Sequence, residues 1–116
     1  MPGAFTRAQL DYLQNERRLG RLATVSKELI PRVVPVGWRH NAALDTIDVG
    51  GHDLPRTRKF RDVLRHGRAA IVIDDLRTVE PWRPRAIEIS GRAEAITSPE
   101  PVIRIHPDHV VSWGLE

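Results

Sequence analysis

Cysteine is absent from the chain, which excludes disulfides, thiolate zinc sites and cysteine nucleophiles. Aromatic side chains are few: two phenylalanines, one tyrosine and three tryptophans. Trp38, Trp82 and Trp113 lie one to a region, whereas a groove for single-stranded nucleic acid needs stacking aromatics arrayed along a basic surface. That scatter argues against a nucleic-acid partner. No block of five like charges occurs, so the net charge of +3 does not come from a disordered basic arm. The start "MPGAFTRAQLDYLQ" lacks the apolar core of a signal peptide, and no apolar run approaches the length of a membrane span. A cytoplasmic protein with no membrane partner is expected. Catalytic motifs are missing too. No HExxH, Walker or Rossmann pattern is present, and Ser26, Ser90, Ser98 and Ser112 lack a nucleophile-elbow context. The five histidines, His40, His52, His66, His106 and His109, show no spacing that converges on a metal. No metal site is expected.

What is present fits one domain, residues 1–116, with a single core that a second subunit would help to cover. Thr6 and Gln9 form a capping box flanked by a Phe5–Leu10 staple, so a helix is expected over 7–19, with Arg17 and Arg18 at its negative end and Gly20 as its stop. β-rich texture follows at 21–26, 32–40 and 46–51. Pro35 lies inside the second of these runs and so belongs on an edge or at a bulge. A second helix over 56–67 places Phe60, Val63 and Leu64 on one face, with Gly67 as its stop and Arg58–Asp62 as a surface pair. The run 68–75 reads as a strand buried on both faces, 85–96 as an alternating strand, and 101–107 as the sixth. Residues 76–85 form the longest irregular piece. Its two prolines and Trp82 suggest a docked lid or interface loop. Six short strands and two helices with short connections predict an α+β, mainly β chain folded as an antiparallel barrel.

The stretch "DVGGHDLPRTRKFRDV", residues 48–63, carries the chemistry. Two glycines at a strand end let a ligand approach the backbone. The following helix start, near Pro55 or Arg56, combines free amides with Arg56, Arg58, Lys59 and Arg61, which together suit a phosphate. A solvated basic helix face is the alternative reading of the same spacing.

The segments "GRLATV", "PRVVPVGWRHN", "LDTIDVGGHDLPRTRKFRDV", "RAAIVIDDL", "PWRPRAIEISGRAEAI" and "IRIHPDHVVSWGL" resemble, in order and spacing, the pyridoxamine-phosphate-oxidase-like split-barrel flavoproteins. They are most similar to the branch that uses the deazaflavin coenzyme F420. The resemblance spans Phe5 to Leu115 and implies a six-stranded split β-barrel, dimeric, with two cofactor sites along the subunit interface. It implies that the ring lies against Pro35, Val36, Gly37 and Trp38 on one strand and Val49, Gly50 and Gly51 on the next. Thr57, Arg58 and Lys59 would then hold the cofactor phosphate, Lys59 foremost, with Arg56 and Arg61 beside them. Trp82 would reach toward the ring or across the interface. The chain ends soon after "SWGL", without the C-terminal basic segment that pyridoxine-phosphate oxidases use on their substrate, so that activity is not expected. The implied function is F420-dependent reduction of a small unsaturated organic substrate, with an FMN-dependent oxidase or reductase, or a non-catalytic flavin holder, as the alternatives. No catalytic side chain is assigned, because the cofactor itself supplies the reactive centre.

Overall fold

The computed structural model describes residues 3–115. Helix α1 (Arg7–Asn15) comes first, then strands β1 (Gly20–Val25), β2 (Pro31–Val36), β3 (Trp38–Asn41) and β4 (Thr46–Val49). A 3₁₀ turn (Leu54–Arg56) leads into helix α2 (Arg58–His66). The long strands β5 (Arg68–Thr78) and β6 (Arg83–Ile96) follow, and β7 (Val102–Ile105) and β8 (His109–Trp113) close the chain.

All pairings are antiparallel, in the order β2-β1-β5-β6-β7-β4-β3, with β8 beside β6. The two ends of that path, β2 and β3, are consecutive in the chain and joined only by Gly37. The sheet is therefore curled into a split barrel. Its six-strand count holds when β2 and β3 are taken as one strand bent at Gly37, and β8 is an addition. The expected strand over 32–40 is thus two strands with different partners: β2 pairs β1, and β3 pairs β4. Pro35 lies on β2 at the end of the path, opposite Arg21, where its missing N–H removes no ladder bond to a further strand.

Strand β6 changes partners along its length. Residues from Arg83 to Arg92 pair β5, Ala86 to Ser90 also pair β8, and Ala93 to Ile96 pair β7. At the changeover, any side chain on Gly91 would collide with the His106 carbonyl and Asp108. The inward residues Leu22, Ile71, Ile73, Ile87, Ile89, Ile103 and Ile105 are essentially fully buried and form the core. Such burial stabilises by roughly 1.5–3 kcal/mol per side chain.

Several local expectations are revised by packing. Helix α1 starts at the Thr6–Gln9 capping box, as expected, but ends at Asn15, with Glu16 already extended. Arg18 reaches back from beyond the helix, its guanidinium donating to the Tyr12 carbonyl at 3.0 Å and lying 3.3 Å from Asp75. These bonds draw residues 16–19 out of the helix, and Gly20 begins β1 instead of capping. Helix α2 is capped by Thr57, not by residues near Pro55, which belong to the 3₁₀ turn. Its stop is Gly67 in the left-handed conformation, as expected. Leu64 is 63% exposed, because the buried face of α2 is taken by Phe60, Asp62 and Val63. The Arg58–Asp62 surface pair does not form; Asp62 turns inward to other partners. Strand β5 is buried on one face only, with Ala69, Ile71 and Ile73 inward and Ala70 and Val72 partly covered on the outer face. The expected irregular loop at 76–85 is instead the outer end of the β5–β6 hairpin, with a bulge between Leu76 and Thr78. No helix is long and apolar enough to cross a membrane among the described residues.

Candidate functional site

Two clefts gather most of the candidate residues. The first, of about 330 Å³, lies where the start of α2 meets β1 and β2, and Thr57, Arg58 and Lys59 line it. Thr57 is largely committed to the cap: its hydroxyl donates to the Leu54 carbonyl at 2.7 Å and accepts from the Phe60 amide at 3.3 Å. Lys59 and Arg58 form no ion pair among the described residues. Arg56 turns toward Asp53 at 3.7 Å, and Arg61 is exposed on the outer face of the helix.

Arg32 also lines this cleft, and sequence spacing did not single it out. It is held by Asp62, which accepts from Arg32 Nε at 3.1 Å, Arg32 Nη2 at 2.8 Å and the Thr24 hydroxyl at 2.8 Å. Burial pushes the Asp62 carboxyl up, but the bonds from Arg32 and Thr24 outweigh it and hold it below its ordinary value. The Arg32 charge is thereby matched, and the excess positive charge of the cleft rests on Lys59 and Arg58.

The second cleft, of about 560 Å³, opens over the β3–β4 pair. Gly37, Trp38, Gly50 and Gly51 line it. Trp38 faces Val49 across the ladder, so Gly37 and Gly50 each stand one residue from that pair. The Trp38 indole N–H donates to the Arg18 carbonyl at 2.7 Å, which fixes the ring plane. A Cβ added to Gly37 or to Gly50 would meet nothing within 4 Å, and neither residue has a backbone that demands glycine. Folding therefore does not require glycine at either place. Bare backbone there leaves room for a flat ligand against the strands. Val36 and Val49 turn their side chains into the core and offer a ligand only backbone, while Pro35 is exposed on the edge strand. Trp82 stands apart, 67% exposed at the tip of the β5–β6 hairpin, and lines neither cleft.

Behind the second cleft lies a buried carboxylate that the sequence reading passed over. Asp48 has no exposed side-chain surface and accepts two bonds from Arg104 at 3.1 Å, one from Asn41 and one from Thr46, both at 2.9 Å. Burial raises its pKa, but these four bonds prevail and hold it below the usual carboxylate range. A signal was available: an acidic residue between Ile47 and Val49 in the strand "TIDV", all four of which are buried, needs a cationic partner. The histidines are dispersed, His40 against Asp45, His66 against the Ser26 carbonyl and His106 against Glu94.

Comparison with known proteins agrees with the fold. The family model described as Pyridoxamine 5'-phosphate oxidase matches residues 6–110. A 5a,11a-dehydrotetracycline/5a,11a-dehydrooxytetracycline reductase from Streptomyces rimosus subsp. rimosus is 37% identical over 121 residues, covering 97% of this chain and 84% of its own length. Among solved structures, a conserved hypothetical protein from Mycobacterium tuberculosis superposes with a TM-score of 0.78 at 17% identity, over 97% of this chain and 86% of that one. A structure titled F420 reductase superposes with a TM-score of 0.67 at 16% identity, over 87% of this chain and 94% of that one. The curled six-strand barrel and a match over nearly the whole sequence agree: the chain belongs to the pyridoxamine 5'-phosphate oxidase family.

Proposed function

We propose that this protein is a reductase that uses coenzyme F420 to reduce a small unsaturated organic substrate, and that it works as a homodimer with its cofactor sites at the subunit interface. The observation that carries the reading is the bare floor at Gly37 and Gly50, where glycine serves no folding need. Family membership and the 37% identity to a named reductase support reduction as the chemistry. The residues fit the cofactor. Lys59, Arg58 and the free amides of the first turn of α2 suit its phosphate, and Gly37, Trp38, Gly50 and Gly51 suit a flat ring. When bound in its reduced form, the cofactor would supply the hydride for an activated double bond, with the accompanying proton drawn from solvent, so that the substrate gains the two electrons the cofactor loses. The chain's own part is to hold the phosphate, seat the ring on backbone and keep Trp38 rigid beside it.

The dimer is supported by the outer face of the barrel. Pairing registers align Pro35, Arg21, Val72, Glu88 and Val111 in one row and Val33, Ala23, Ala70, Ser90 and His109 in the next. Val33, Val111 and Trp113 are exposed on this face. Exposed apolar side chains set among Arg21, Glu88 and His109 on so small a chain suit a second copy.

An FMN-dependent enzyme on the same barrel is the second reading, favoured by the match to an oxidase family. Titrating the purified protein with F420 and FMN side by side separates the two. F420 is expected to bind the more tightly, and Lys59→Ala should weaken it roughly ten- to a hundredfold through loss of a charge-assisted bond. Arg65→Ala, at the far end of the same helix, should do much less. Preference for FMN overturns the F420 reading, equal losses in the two variants overturn the phosphate cradle, and tight binding without turnover of any enone identifies a holder.

A further inference from the structure

We propose that the second cleft carries an anion site separate from the phosphate cradle, in which Arg39 and Arg17 hold the carboxylate or enolate of a flat organic acceptor. That the ligand is an acceptor rests on the reductase reading; that the site takes a flat anion does not.

The charges of this cleft are unevenly matched. Arg17, Arg39 and Arg104 line it against the carboxylates of Asp48 and Glu100, which leaves it positive. Asp48 is fully engaged by Arg104, Asn41 and Thr46. Arg39 approaches the same carboxylate only to 3.6 Å, beyond hydrogen-bond contact, and 67% of its side chain is exposed. Arg17 has no ion pair among the described residues. Two exposed guanidinium groups, Arg39 with only a long ion pair to Asp48 and Arg17 with none among the described residues, therefore line the cleft beside the bare backbone proposed to seat the ring.

This cation group is distinct from the one at α2, because no residue lines both clefts. A phosphate held by Lys59 leaves Arg39 and Arg17 for a different anion. The volume of about 560 Å³ is that of a small-molecule site. Ile96 and Pro101 supply apolar wall, and the fixed Trp38 ring supplies an edge against which a planar body can pack. A guanidinium fork matches a carboxylate or the two oxygens of an enolised dicarbonyl through paired bonds. Together these features select a planar, conjugated molecule with an acidic oxygen group.

The test is calorimetric, on cofactor-free protein, with 1-hydroxy-2-naphthoate as the flat anion and 1-naphthol as its neutral counterpart. The naphthoate should bind at least about tenfold more tightly, and Arg39→Gln should remove most of that preference. Arg17→Gln should remove part of it, and Lys59→Ala should leave it unchanged. Because Arg39 is mostly exposed, its variant should melt with the wild type, which shows that any loss is one of binding. Equal affinity for acid and phenol, or a loss in Lys59→Ala as large as in Arg39→Gln, overturns the proposal. A weakening of long-tailed F420 relative to the short-tailed form in Arg39→Gln, with naphthoate affinity unchanged, assigns the arginines to the cofactor's acidic tail and overturns it as well. Naphthoate binding without cofactor affinity keeps this site while removing the F420 reading. F420 binding without naphthoate preference removes this site alone.

Discussion

Asp48 and Asp62 sit almost wholly out of water, and each answers an arginine far away in the sequence. Such pairs add little over an apolar substitute, yet breaking one strands a charge in the interior at a cost of about 3–5 kcal/mol. In Asp62→Asn the stranded partner is Arg32, whose side chain is 34% exposed, so water recovers part of that cost. A loss of about 2–3 kcal/mol in urea unfolding is expected on that basis. The pH dependence has a definite sign. Both carboxyls lie below their ordinary value in the fold, with Arg and hydroxyl bonds overcoming burial. The unfolded chain therefore takes up protons first, near the ordinary Asp value of about 3.9. The stability these carboxylates contribute is complete above that pH and is lost as pH falls through the lower folded values. Melting temperature should drop with acidification below about pH 4, and less steeply in Asp62→Asn than in the wild type. Parallel acid limbs for the two proteins would show that Asp62 titrates normally.

Elements are tied together by side chains more than by their own length. Helix α1 has nine residues, short for a helix that must stand alone. Tyr12 fastens it to the β5–β6 hairpin, donating to Asp75 at 2.8 Å, while Arg18 lies over the Tyr12 ring with its guanidinium carbon 4.1 Å from the ring centre. Arg85 grips the same Asp75 at 2.6 and 2.9 Å, and this bond above all holds the Asp75 carboxyl well below its usual range. The hairpin thus has an anchored base and a projecting tip. Leu76, Val79 and Trp82 are exposed toward that tip. Truncating a core aromatic would cost about 3–5 kcal/mol, but Trp82 touches no core. Trp82→Ala should leave the melting temperature of the isolated chain nearly unchanged and weaken cofactor binding or dimer affinity. A large drop in melting temperature with both affinities intact would place Trp82 in a structural role.

At the scale of the molecule, the barrel closes through a single covalent bend at Gly37, not through a ladder between β2 and β3. The two clefts lie on β2 and on β3–β4, either side of that bend. The outer face carries the exposed Val33, Val111 and Trp113, and the proposed dimer would form there. Light scattering should give twice the chain mass of 13.2 kDa at micromolar concentration. Val111 lies directly opposite Glu88 across the β6–β8 ladder, so Val111→Glu sets two like charges side by side on that face. The variant should be monomeric and still folded by circular dichroism. A variant that stays dimeric would move the interface to another surface.

The sequence by itself determined what depends on neighbours a few residues away. The Thr6–Gln9 capping box, the Gly67 stop, the alternation of Ile87, Ile89 and Ala93 in β6 and the edge placement of Pro35 were all legible there. Family membership was legible too, because it rests on the order of whole segments. Tertiary structure alone decided where α1 ended, where the second strand split and how the hairpin extended, since each of these answers to a distant partner. Arg18 leaves the helix to meet Tyr12 and Asp75, Gly37 passes the chain from one ladder to another, and Arg85 holds the hairpin base. The arginines of the clefts follow the same rule. Asp48 and Arg104 are 56 residues apart, and no local period joins them. Which cations are matched and which remain for a ligand is set by such long-range pairing, because burial of a carboxylate demands a counter-charge wherever the fold can supply one.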